Sequence, residues 1–237
     1  MSHIQKNFID LQEIFYHLEE EKKVYAIIKL PYNFPAYDVG SDLDIFCYDI
    51  YEISSLIVAQ LQKKIDSSLT IKVTDNKQQL YIDILDKHTI HFRFDLYGAL
   101  PSYKNVNIKE AFFSSVLENA RIVQRGEVYV HVPSLIDEAI LRYIEYHEWY
   151  VQRPDKIKHI HYLEQKIEEN ALDTDLLFDK LHYYIALPSV AQREEKSHNI
   201  VIKYALYFKE MVQKVLLHVR KNGLEETLHK IKGRVFK

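Results

Sequence analysis

Apolar residues recur at helical spacing near the start of the chain: Ile4, Phe8, Leu11, Phe15 and Leu18, with Ile9 and Ile14 widening the stripe. This pattern predicts one amphipathic helix over 4–22. A short β-rich run over 24–30 follows and is ended by Pro31 and Pro35. The period then becomes two over 39–48, where Leu43, Ile45 and Cys47 alternate with Asp42 and Asp44. A second amphipathic helix is predicted over about 51–65, on Ile53, Leu56, Ile57 and Leu61. Strands are predicted over 69–73, 79–85 and 89–96, the last two joined by the hairpin residues Asp86, Lys87 and His88.

After Pro101 the pattern changes again. A helix is predicted over 109–120, then a small hairpin, 121–125 and 127–132, around Gly126. From Ser134 onward the periodicity is helical throughout. Ser134 can cap the first of these helices, with Asp137 three residues on and a stripe of Leu135, Ala139, Ile140, Tyr143 and Tyr150. Pro154 breaks it, and further helices are predicted over 155–168, 174–187, 198–221 and from 224. The expected organisation is an α+β head, 1–133, followed by an all-helical domain, 134–237.

Composition adds bounds to this picture. Hydrophobic residues make up 47% of the chain and charged residues 27%, enough to bury a proper core. With only five Gly and six Pro, long loops should be scarce. The single cysteine, Cys47, excludes an internal disulfide and suits a reducing compartment. The first residues lack the apolar core of a signal peptide, and no stretch is long enough to span a bilayer, so a cytoplasmic protein is expected. Charge is uneven: residues 1–96 hold 10 Lys and Arg against 15 Asp and Glu, and the remainder hold 21 against 19. Arg220, Lys221, Lys230, Lys232, Arg234 and Lys237 make the end of the chain basic. A pI near 6.5 gives no general nucleic-acid signal, and a solvated terminal helix accounts for that cluster.

The candidate chemistry lies at Gly40-Ser41-Asp42-Leu43-Asp44. Strand alternation puts Asp42 and Asp44 on one face and their apolar neighbours on the other. Two adjacent carboxylates at the head of an apolar strand repel each other and lose hydration, which costs free energy unless a cation sits between them. Mg²⁺ takes oxygen ligands of this kind, from one or two carboxylates plus substrate phosphates. A surface turn with Asp42 as a cap explains the same residues. Asp95 ends a cleanly alternating strand, with Phe92, Phe94 and Leu96 on one face and His91, Arg93 and Asp95 on the other. It would supply a third acid if its strand lies beside that of Asp42 and Asp44. Asp83 competes for this role but sits in mid-strand, and Asp95 is preferred.

In order of elements over about 1–100, and in Gly40-Ser41-Asp42-Leu43-Asp44 and Asp95, the chain resembles the polymerase-β-type nucleotidyltransferase superfamily. The resemblance implies a mixed sheet with flanking helices. It implies that Asp42, Asp44 and Asp95 hold two Mg²⁺ ions and carry catalysis on a nucleoside triphosphate, with transfer of a nucleoside monophosphate to an unidentified acceptor. Asp95 would also accept the acceptor's hydroxyl proton, directly or through water. One feature departs from the family. Its usual Gly-Ser or Gly-Gly turn at the end of the first strand is replaced by Ile28-Lys29-Leu30-Pro31, and Gly40-Ser41 abuts the acids instead. Lys29, with Gly40 and Ser41, is the candidate for holding the nucleotide phosphates. Bacterial polysaccharide-cluster proteins of the superfamily look similar here, which fixes no substrate.

Two alternatives stay open at this level. One is a catalytically silent member of the fold that binds a protein or RNA partner; the other is a toxin–antitoxin type transferase acting on tRNA or protein. His159, His161 and His147 invite a zinc reading, but residues two apart on a helix point in different directions. Arg142, Arg153, Lys156 and Lys158 could bind phosphate, with solvated helix faces as the plainer account.

Overall fold

The computed structural model describes residues 9–104, 106–150 and 152–186. The first helix, α1, is Leu11–Glu20, shorter than the predicted 4–22. Its start is set by Asp10, whose side chain accepts from the Glu13 N–H at 3.0 Å and so ends the helix on that side. Ile4 and Phe8 lie outside the described residues. Then come β1 (Tyr25–Ile28), β2 (Ser41–Cys47) and α2 (Ile50–Lys64), the last capped by Asp49, which accepts from Tyr51 and Glu52. Strands β3 (Leu69–Asp75), β4 (Gln79–Asp86) and β5 (Thr89–Tyr97) follow the predicted positions closely.

These strands form one mixed sheet in the order β1-β2-β5-β4-β3. β2 and β5 run parallel, and the other pairs are antiparallel. The parallel pair requires a crossover, which α2 and the β3–β4 hairpin supply. Alternation sorts the side chains onto two faces. Tyr25, Ile27, Leu43, Ile45, Cys47, Ile82, Ile84, Phe92, Phe94 and Leu96 share one core with Leu11, Ile14, Phe15 and Leu18 of α1 and Ile53, Ile57 and Leu61 of α2. Each such Leu, Ile or Phe contributes on the order of 1.5–3 kcal/mol when fully buried.

Further along are β6 (Asn107–Ile108), α3 (Ala111–Glu118), β7 (Arg121–Arg125) and β8 (Val128–Val132). Gly126, at φ 61°, turns the β7–β8 hairpin, and Val128, Val130 and Val132 join the first core. Helix α4 (Leu135–Trp149) begins at Ser134, whose hydroxyl accepts from the Asp137 N–H at 3.1 Å. A 3₁₀ turn, Pro154–Lys156, leads into α5 (Ile157–Glu168), and α6 is Thr174–Tyr184. The expectation of helix alone after Ser134 needs one correction. Ile185–Ala186 forms a two-residue strand, β9, paired antiparallel with β6. Two residues are too few to carry a period, and the pairing partner lies far away in sequence. The helices predicted over 198–221 and from 224, and the basic cluster from Arg220 to Lys237, lie outside the described residues.

Ala26, Ile28 and Phe46, on the other face of β1 and β2, pack with Phe112, Phe113 and Val116 of α3 and Ala139, Ile140 and Ile144 of α4 in a second core. This cover lies over the β1–β2 end of the sheet. The polar side chains of β2, β5 and β4 come next on the same face. Among the described residues, no helix is long and apolar enough to cross a membrane.

Candidate functional site

The loop over 31–40 delivers the chain to β2. Gly40 has φ 83°, a left-handed conformation that favours glycine, and donates its N–H to His91 O at 2.8 Å. Ser41 opens the strand, with its N–H on Asp38 O at 3.0 Å. Register then fixes the acids. Asp42 stands opposite Arg93, which stands opposite Asp83 of β4. Two residues on, Asp44 stands opposite Asp95, which stands opposite Tyr81. The strand of Asp95 is therefore the direct parallel neighbour of the strand bearing Asp42 and Asp44.

The three acids differ in surroundings. Asp42 is exposed at the open end of the strand. Asp44 is half-buried between Ile28 and Asp95, and Tyr97 donates its hydroxyl to Asp44 Oδ1 at 3.3 Å. Burial raises the Asp44 pKa above the usual carboxylate range, with Lys29 opposing and Asp42 and Glu145 adding to the rise. Asp95 is buried, and its Oδ1 has no hydrogen-bond partner. The nearest cation to that oxygen is Arg93 Nε at 3.7 Å, beyond hydrogen-bonding distance. Burial and the neighbouring Asp44 push the Asp95 carboxyl up to about 7, against the pull of Arg93.

Asp83 has a partner of its own. Arg93 Nε donates to Asp83 Oδ1 at 2.6 Å, and the guanidinium lies 5.1 Å from the centre of the Tyr81 ring. Arg93 thus neutralises Asp83 and leaves Asp95 under-compensated. Alternation in β5 places Arg93 beside Asp95 in the sequence, but only the register reveals which acid it serves.

Lys29 directly follows β1 with φ 57°, a left-handed conformation uncommon for a residue other than glycine. Its ammonium donates to Glu145 Oε2 at 2.7 Å and lies 3.7 Å from Asp44 Oδ2. Glu145, from α4, also accepts from Lys156, while His159 Nε2 stands 3.4 Å away without hydrogen-bond alignment. Burial opposes ionisation of Glu145, but His159, Lys29 and Lys156 outweigh it and hold the carboxyl far below its usual range. Burial also lowers the His159 pKa. Sequence reasoning missed Glu145, Tyr97 and Arg93. Glu145 reads as a solvated helix position in the sequence, and only tertiary packing brings it to Lys29.

The remaining sequence candidates fall elsewhere. Arg142 pairs with Glu138 and lies over the Tyr162 ring, Arg153 pairs with Asp155 in solvent, and Lys158 is exposed. His159 is buried, whereas His161 points to solvent and Glu164, as their spacing requires. Among the described residues, no three His, Cys, Asp or Glu side chains close into a ready metal cage. What the site offers is a pair of facing carboxylates with a third further out. Such an open, all-oxygen set suits Mg²⁺, which keeps several waters and takes its other oxygens from substrate phosphates. The orphaned Oδ1 of Asp95 is the feature a cation would satisfy.

The chain matches no protein-family model and no curated protein. Two solved structures are similar over part of their length. One, a candidate nucleotidyltransferase from Helicobacter pylori, aligns at 11% identity over 60% of this chain and 59% of its own, with a TM-score of 0.31. The other, JHP933 from the same organism, aligns at 10% identity over 58% of this chain and 56% of its own, with a TM-score of 0.30.

Proposed function

We propose that this protein is a metal-dependent nucleotidyltransferase, moving a nucleoside monophosphate from a nucleoside triphosphate to an acceptor of unidentified class. The observation that supports it most strongly is the direct pairing of Asp44 with the buried, under-compensated Asp95 on a neighbouring parallel strand. Asp42, on the same face, would complete the set that holds Mg²⁺. When bound, two such ions would neutralise the triphosphate and the charge developing on the attacking and leaving oxygens. Transfer of this kind depends on positioning and charge neutralisation, so little other chemistry is asked of the chain.

The other side chains take supporting roles in this reading. Gly40 and Ser41 shape the turn that brings Asp42 into place, their own N–H groups being bonded to His91 O and Asp38 O. Lys29 offers an ammonium at the end of β1, within reach of Asp44 and of a phosphate placed beside it. Asp95 is the candidate acceptor for the proton of the attacking hydroxyl, directly or through water. The hydroxyl oxygen bonds to the α-phosphorus, the bond to the bridging oxygen breaks, and pyrophosphate leaves.

The test is pyrophosphate release from each of the four nucleoside triphosphates with Mg²⁺, in the presence of fractionated cell extract as an acceptor source. Release by the wild type and none by Asp44→Asn supports the proposal. Equal release by the two proteins contradicts it. A second reading, a silent member of the fold that binds a partner, draws on Lys29, whose ammonium could serve as a fixed counter-ion for Asp44. It predicts no metal-dependent nucleotide binding at all.

A further inference from the structure

Lys29 lies between two carboxylates and is bonded to only one of them. Its Nζ is 2.7 Å from Glu145 Oε2 and 3.7 Å from Asp44 Oδ2, so the hydrogen bond goes to the helix and not to the strand. The geometry of Glu145 explains the preference. Its second oxygen, Oε1, is held by Lys156, and His159 flanks Oε2, so the carboxylate is fixed from the α5 side while it receives Lys29. Its side chain is 15% exposed, so this pairing is poorly screened by solvent. The two acids therefore stand in contrast: Glu145 is bonded to two ammonium groups, those of Lys29 and Lys156, and Asp44 Oδ2 is left without a bonded cation.

We infer that Glu145 is a positioning residue that holds the Lys29 ammonium off Asp44 and so keeps Asp44 Oδ2 available to a divalent cation. Among the described residues, Glu145 is the one acid of α4 within 4 Å of Lys29, and without it a shift of about an ångström would bring the ammonium into hydrogen-bond contact with Asp44. The cation would then have to displace an internal ion pair. The same contact links the helical segment to the sheet, so the placement of α4 bears on the acids without touching them. The inference rests on the proposal that Asp42, Asp44 and Asp95 hold the cation.

Mn²⁺ binding to the full chain, followed by the electron paramagnetic resonance signal of the free ion, tests it without any turnover assay. Glu145→Gln keeps an acceptor for Lys156 and is expected to weaken Mn²⁺ binding about tenfold, the usual scale for groups that orient metal ligands. The double variant Lys29→Met/Glu145→Gln should return to wild-type affinity or better. Glu145→Gln/Lys156→Met removes the same charge from the other side of Glu145 and should stay weak, which separates local competition for Asp44 from general electrostatics. Should Glu145→Gln fail to fold by circular dichroism, Glu145→Asp, which keeps the charge but shortens the reach to Lys29, must bind Mn²⁺ more weakly than wild type and be restored by Lys29→Met. The inference is overturned by unchanged affinity in Glu145→Gln, by equal rescue from both double variants, or, where Glu145→Asp stands in, by unchanged affinity in that variant. A wild type that binds no Mn²⁺, or whose binding survives Asp42→Asn/Asp44→Asn, overturns the cation site itself and the inference with it.

Discussion

Asp44 and Asp95 face each other across β2 and β5, the parallel pair in the five-stranded sheet. Tyr97 donates to one oxygen of Asp44, and one oxygen of Asp95 has no hydrogen-bond partner. Two carboxylates so placed repel each other, and the surrounding chain only partly offsets this through Lys29 and Arg93. That imbalance is the physical basis of the proposed cation site. Several consequences can be measured.

Asp44→Asn should lower nucleotidyl transfer by about 10²–10³-fold or more, since it removes a charge aimed at the reacting groups. The side chain is half-buried and nearly isosteric with asparagine, so the melting temperature should change little. Steady-state transfer assays beside a thermal melt of the same preparations check both parts.

Stability should depend on pH through Asp95. Its folded-state pKa lies near 7, above the ordinary value of 3.8, so between these the native state binds the extra proton. The contribution is fully present below about pH 4 and is lost as pH rises through about 7. Asp95→Asn should therefore melt about 2–4 °C above wild type at pH 8 without metal and nearly level with it at pH 4. Added Mg²⁺ should narrow the gap at pH 8 by stabilising only the wild type. A gap of the same size at both pH values would contradict this electrostatic account.

Gly40→Ala isolates the backbone demand of the loop. An added Cβ meets only Ile90 O, at 3.9 Å, so the space is free and the cost is the left-handed φ of 83°. Urea unfolding should show a loss of about 1 kcal/mol. Phe94 makes a contrast, since it lies between Arg93 and Asp95 but points into the opposite core and is fully buried. Phe94→Ala should cost about 3–5 kcal/mol in the same measurement.

The strands of the head and the face shared by Asp42, Asp44 and Asp95 are legible in the sequence because both follow from a period of two. Leu43, Ile45 and Cys47 on one side dictate where the acids go on the other. Strand adjacency does not follow from periodicity. That β5 lies beside β2 is set by the crossover, and so is the opposition of Asp44 and Asp95. The apolar stripe continues past Asp10 toward the start of the chain, so periodicity alone does not mark the beginning of α1, which the Asp10 capping bond sets. The β6–β9 pair and the Lys29–Glu145 contact join residues far apart in sequence. Glu145 in particular has no local signal, since a charged residue on a helix is solvated more often than buried.

The measurement that bears most directly on the central claim is the melting temperature of the full chain with each nucleoside triphosphate, with and without Mg²⁺. It should be made on wild type and on Asp42→Asn/Asp44→Asn. A ligand that binds only the native state at about a hundred times its Kd should raise the midpoint by roughly 5–10 °C in a chain of this size. The account predicts such a rise in wild type for at least one nucleotide, dependent on Mg²⁺ and absent from the double variant. No rise with any nucleotide, or a rise that survives the loss of both acids, would contradict it.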